Sequence, residues 1–143
     1  MKLFCRVVCG VLLSVPETME DLRAMKRLWA HETMRVYYDR LVYPEDRSGF
    51  IDAVKDICTR QLQIDFDELC GHLSTSEDGS VSEDDLRRLL MCDFSDPKNE
   101  DRFYKEIRDM DAFRLLIDYF SQICSINRLI VQVGGGAAAG EVQ

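Results

Sequence analysis

Apolar residues recur along this chain at the three-and-four spacing of a helical face, broken at short intervals by Pro, Gly and small polar residues. Phe4, Val7, Val8, Val11, Leu12 and Val15 form the first such stripe, and Pro16 ends it. Thr18, with Asp21 three residues on, is placed to cap a second helix running to Leu41 or Val42. Leu22, Met25, Trp29 and Val36 share one face of that helix. Pro44 suits the first turn of a third helix, where its missing N–H is not needed, and Gly49 weakens that helix near its start. Phe50, Val54, Ile57, Cys58 and Gln61 mark its inward stripe.

Asp65 with Glu68 forms a capping box for a short helix over 66–73. A polar loop over 74–82 follows, with a turn at Asp78-Gly79, and Ser82 with Asp85 caps a further helix through Leu90. Residues 91–94 read as briefly extended, and 95–101 as a polar connector holding Pro97. Asp109 caps the last helix, whose Phe113, Leu116, Ile117, Phe120 and Ile123 predict a buried stripe. No internal repeat is visible, and no strand pattern is long enough to build a sheet. The pattern predicts an all-α fold, a helical bundle of about five to six helices, with a disordered Gly/Ala tail over 129–143.

Composition changes this picture in two places. The 143 residues are enough for one domain with a real core, and the 46% apolar and 31% charged shares are those of an ordinary soluble chain. The net charge of −8 argues against non-specific nucleic-acid binding, which needs a basic footprint. That charge is local, because residues 65–101 hold twelve acids against three bases. A solvated face explains it, with a docking surface for a basic partner as the alternative. The six cysteines lack any CxxC pair and sit mostly among apolar neighbours, so they read as buried free thiols in a reducing compartment. A secreted helical disulfide protein is the competing reading. Lys2 and the apolar run after it have the outline of a signal peptide, but Arg6 interrupts the run, and an amphipathic core helix fits better. No apolar stretch reaches the roughly 18 residues of a membrane span.

Three segments carry candidate chemistry. On a helix, Glu32, Arg35 and Asp39 stack as an acid–base–acid ladder, and His31 lies one turn before Arg35. General acid–base work also needs burial and a cleft, which the pattern does not indicate. Residues 74–85 lie between two helices as a calcium-binding EF-hand loop does, with Asp78 fifth, Gly79 sixth and Val81 eighth. Ser74 and Asp85 stand where that loop needs an acid and a bidentate Glu, so an acidic, calcium-responsive binding module is the alternative reading rather than the first. Gly135 and Gly140 have the GxxxxG spacing of a phosphate loop after a strand-like run at 129–133. Glu141 and Val142 replace its Lys and Ser/Thr, which rules that motif out.

The run RLWAHETMRVYYDRL at 27–41, followed by YPEDRSGF at 43–50, resembles the dynein heavy chain family, in the helix that opens the small α-helical lid of an AAA+ module. FCRVVCGVLLSVPE at 4–17 is similar to the closing helix of that module's core, and a weaker likeness runs through CDFSDP to about residue 125. The resemblance is strongest to the third module of an axonemal heavy chain. It implies a remnant of the core helix over 1–15, a lid domain over 16–128 and an unrelated or truncated tail. It implies that Trp29 anchors the lid core, while His31, Glu32, Arg35, Asp39 and Arg40 fix the lid against neighbouring segments. None of these is a nucleotide ligand by that likeness. The family's segment before Phe4, with an Arg-Asp pair facing nucleotide, is replaced here by residues 1–3. The resemblance thus implies a lid without its ATPase core: no enzyme and no cofactor in this chain, with ATP bound by the parent motor. The implied partners are the rest of the heavy chain ring, the dynein complex and the microtubule, without nucleic acid or membrane. The implied location is the cytoplasm and cytoskeleton, and the ciliary axoneme for an axonemal dynein.

Overall fold

Local capping chemistry sets most of the element boundaries. A computed structural model describes residues 2–19, 21–94 and 103–137, the stretch 126–137 as backbone. The predicted connector at 95–101 and the tail from 138, with Gly140, Glu141 and Val142, lie outside the described residues. The chain forms two units, Met1–Ile107 and Arg108–Gln143.

The first unit opens with α1 (Lys2–Val11) and a 3-10 turn at Pro16–Thr18, followed by α2 (Leu22–Tyr37) and a second 3-10 turn at Tyr38–Arg40. Then come α3 (Pro44–Arg60), α4 (Phe66–Cys70) with a 3-10 extension at Gly71–Leu73, and the single-turn α5 (Glu83–Leu86). Pro44 stands at the start of α3 and Asp65 accepts the Glu68 N–H at 3.0 Å, both where the sequence places them. Ser82 and Asp85 form a full capping box, each side chain bonded to the other's backbone N–H.

Thr18 does not cap α2. It closes the preceding 3-10 turn by donating to the Val15 carbonyl at 3.0 Å, while Asp21 caps the helix through the Arg23 N–H. A cap must stand directly before the first helical turn, and extended backbone at Asp21 places that turn three residues later than the sequence suggests. α5 also stops early. Leu89 turns into the core, and the Leu90 carbonyl accepts the Ile107 N–H at 2.9 Å. The chain therefore leaves the helix to enter a two-residue antiparallel ladder, β1 (Met91–Cys92) against β2 (Lys105–Glu106), with Met91 opposite Glu106. The sequence foresees the extended stretch at 91–94 but not its partner.

The core joins Ala30, Met34 and Tyr38 of α2 with Ile51, Val54 and Cys58 of α3, Phe66, Leu69 and Cys70 of α4, and Leu73, Val81, Leu86 and Leu89 beyond. Trp29 is half-buried at the rim of this cluster, and Leu22 on the same stripe is 69% exposed. The predicted Trp29 face is thus the flank of α2. The inward face runs through Leu28, His31, Met34 and Tyr38. α1 shows the same displacement: Val7 and Gly10 are buried, whereas Phe4, Val8 and Leu12 are exposed. A helix buries the side that meets its neighbour, and the small Gly10 allows the closest approach. Only Cys58, Cys70 and Cys92 are buried; Cys5, Cys9 and Cys124 are exposed, contrary to the expectation for all six, and every one is a free thiol.

The second unit holds α6 (Met110–Ala137), capped by Asp109, which accepts the N–H groups of Asp111 and Ala112. The strand-like run at 129–133 is helical, and so is the tail as far as Ala137, because an apolar run that short fits either conformation and here continues an established helix. Ile117 and Phe120 are exposed, and Phe113, Leu116 and Ile123 half-buried, so the predicted stripe is only partly withdrawn from solvent. Among the described residues no helix is long and apolar enough to cross a membrane.

Candidate functional site

A seam of polar side chains, most of them withdrawn from solvent, runs between α2 and the segment at 103–107, with Gly10 of α1 packed against it. From α2, the Arg27 Nε donates to Glu106 Oε2 at 2.8 Å, with the two side chains 8% and 9% exposed. The other oxygen of Glu106 accepts from His72 Nε2 at 2.7 Å. Five residues along α2, Glu32 Oε1 accepts from His31 Nδ1 at 3.1 Å and from the Tyr104 hydroxyl at 2.7 Å. The seam is spaced by elementary geometry. Tyr104 stands just before β2 and Glu106 within it, and both side chains reach α2. Arg27 and Glu32, five apart on a helix, are separated by about 7.5 Å of rise. The segment therefore meets α2 at two points, in the antiparallel sense.

Burial pushes the Glu32 carboxyl up, but the hydrogen bonds from His31 and Tyr104, with the charges of His31 and Arg35, outweigh it and hold the group below the ordinary carboxylate value. Burial and the same carboxylate push the Tyr104 phenol well above its ordinary value. The seam thus keeps Glu32 an acceptor and Tyr104 a donor. The buried side of Glu32 faces α1: a Cβ at Gly10 would overlap its Oε2 and Cδ.

The predicted ladder divides. Glu32 turns inward to the seam together with His31, whereas Arg35 and Asp39 form a half-exposed pair at 3.1 Å. Arg40 is exposed in the 3-10 turn, and Trp29 packs at the rim of the core. Gly10, Arg27, His72, Tyr104 and Glu106 complete the seam and were not singled out from the sequence. One signal exists there, for Tyr104 and Glu106: their alternation with Lys105 and Ile107.

In the loop at 74–85 several side chains at the candidate calcium positions are hydrogen-bonded within the chain. Asp85 is 2% exposed, with Oδ2 accepting from Ser82 and Oδ1 from the Thr75 hydroxyl. Asp78 accepts from the Ser80 N–H and hydroxyl, and Ser74 donates to the Ser80 carbonyl at 2.7 Å. Among the described residues no group of three or more His, Cys, Asp and Glu is placed to hold a metal. In an open groove where α2 and α4 begin, Arg23 pairs with Glu68 and Lys26 donates to the Leu62 carbonyl.

The family described as AAA+ lid domain matches residues 1–76, which include α1, α2 and the core helices α3 and α4. The chain belongs to that family. Its lid is of the dynein heavy chain kind. Dynein axonemal heavy chain 3 of Mus musculus is 33% identical over 117 residues, covering 82% of this chain and 3% of its own length. Dynein axonemal heavy chain 12 of Mus musculus is 31% identical over 160 aligned residues, 94% of this chain and 5% of its own length. Dynein axonemal heavy chain 1 of Homo sapiens is 32% identical over 153 aligned residues, 92% and 3% respectively. The lid thus spans a few hundredths of the length of these relatives. No solved structure matches it.

Proposed function

We propose that this lid couples nucleotide state between adjacent AAA+ modules of an axonemal dynein heavy chain, in the position of the third module, without catalysis or cofactor of its own. ATP is then bound by the rest of the ring, and the lid passes on rigid-body shifts within an ATP-driven microtubule motor of the ciliary axoneme. The observation that supports this reading is the polar seam. Gly10 of α1, the segment resembling the closing helix of a module core, packs against Glu32 of α2, and α2 is bonded onward to residues 103–107 through Glu32–Tyr104 and Arg27–Glu106. A coupling element needs such a rigid, contiguous connection, because a loose one absorbs displacement instead of passing it on.

Two measurements test the proposal. In a full-length axonemal heavy chain carrying this lid, Glu32→Ala and Tyr104→Phe are expected to leave ATP binding intact and to slow microtubule gliding at saturating ATP. Unchanged gliding with both substitutions overturns the coupling role. The isolated chain is expected neither to bind nor to hydrolyse ATP. Micromolar binding of a fluorescent ATP analogue, abolished by changing Gly135 or Gly140, overturns the non-catalytic reading.

A further inference from the structure

We infer that Gly10, Glu32 and Tyr104 act as one lock, through which the seating of α1 decides whether residues 103–107 stay docked on α2. Gly10 is buried in α1, and a Cβ there would overlap Oε2 and Cδ of Glu32 and lie 2.9 Å from its Cγ. A terminal carboxylate ordinarily swings away from such a contact at little cost. Here Oε1 already accepts from His31 and from Tyr104, so moving the group gives up both bonds. The backbone of α1 therefore rests against one oxygen of Glu32 while the strand hangs from the other.

Two further observations place the strand under this control. The ladder between β1 and β2 is two residues long, too short to hold by backbone bonds alone. In addition, the Thr18 hydroxyl, in the turn leading from α1 to α2, lies 3.4 Å from the Tyr104 carbonyl while its proton goes to Val15. Tyr104 is thus held by its side chain from α2, with its backbone set against the connector that follows α1. A shift of α1 toward α2 displaces the Glu32 carboxylate and loosens Tyr104, whereas a well-seated α1 leaves both in place. The lock deepens the coupling reading and rests on it only for its use in a motor; as a property of the chain it stands alone, so the two can fail separately.

The test is amide hydrogen exchange on the purified 143-residue chain. The reporter for the strand is the Ile107 N–H, which donates to Leu90; the references are the Leu69 N–H in α4 and the Gln61 N–H at the end of α3. Gly10→Ala is expected to speed exchange at Ile107 by about tenfold to hundredfold, the loss of a charge-assisted hydrogen bond read as an opening constant, with the references unchanged. Glu32→Ala should give a similar rise, and the double variant no more than Glu32→Ala, because Gly10 acts through Glu32. Should Gly10→Ala fail to fold, Tyr104→Phe reads the lock from the other end. It should free Ile107 and also speed exchange of the Leu12 N–H, which donates to Val8 at the end of α1, since coupling between two sites is reciprocal. Additive effects in the double variant, an unmoved Ile107 in Gly10→Ala, or a Tyr104→Phe variant with α1 exchange unchanged would each overturn the lock. A uniform rise at Ile107, Leu69 and Gln61 would do the same, because it marks general destabilisation.

Discussion

Removing Glu106 should destabilise this chain more than removing Arg27, although the two are partners in one ion pair. Both side chains are nearly buried, and their contact is 2.8 Å. At that distance the gross attraction is about 6 kcal/mol for an effective dielectric constant near 20, but most of it offsets the desolvation of two charges. The single variants expose that desolvation unequally. Glu106→Leu leaves the buried Arg27 guanidinium without an ion-pair partner among the described residues, which should cost about 3–5 kcal/mol. Arg27→Met leaves Glu106 still bonded to His72 at 2.7 Å, a ring that is 39% exposed, so the loss should be nearer 2–3 kcal/mol, roughly a charged hydrogen bond. The double variant, with no charge left to desolvate, should return to within about 1 kcal/mol of the starting stability. Domains of this size hold only about 5–15 kcal/mol in total, so these differences are large. Urea denaturation followed by circular dichroism measures them, provided the slope with denaturant stays constant. If each single variant costs under about 1 kcal/mol, the pair behaves as a surface pair and the buried seam is refuted. Losses that simply add in the double variant would refute the interaction itself.

Further expectations follow from the same structure. Leu28→Ala, at a site with no exposure, should lower stability by about 2–5 kcal/mol and exceed the loss from Trp29→Ala, whose ring is only half-buried; thermal melts that reverse this order would restore Trp29 as the core anchor. The Glu32 carboxyl titrates below its ordinary value in the folded chain, so its contribution is complete above about pH 4.5 and is lost as pH falls through the lower folded value; the stability gap between wild type and Glu32→Gln should close on acidification, and a gap independent of pH contradicts the assignment. Burial pushes the Cys58 thiol up to about 11 and the Cys70 thiol up to about 12. Iodoacetamide should accordingly modify the exposed Cys5, Cys9 and Cys124 of the folded chain well before Cys58, Cys70 and Cys92, and equal rates at all six would mean that the core is open.

The elements legible in the sequence are those whose causes lie within a few residues. The Asp65 cap, the Ser82–Asp85 box, Pro44 at the head of α3 and the Asp109 cap all satisfy backbone groups one turn away, so four-residue patterns suffice to place them. The all-α class and the family likeness of residues 27–41 were legible for the same reason, since helical spacing is local and the motif is continuous. Tertiary structure alone decided which face of each helix turns inward. Leu22, Met25, Trp29 and Val36 make a fair apolar stripe, yet α2 buries the neighbouring side, because α1, α4 and the segment at 103–107 converge there. The ladder of Glu32, Arg35 and Asp39 was sound as helix geometry, and its Arg35–Asp39 rung exists. Glu32 left it for Tyr104, a partner 72 residues away, and Arg27 found Glu106 at a separation of 79. Local spacing states which side chains can meet along one helix. Burial of the shared surface selects which of them do, because a carboxylate withdrawn from water must take whatever donors the fold brings to it, however distant in sequence.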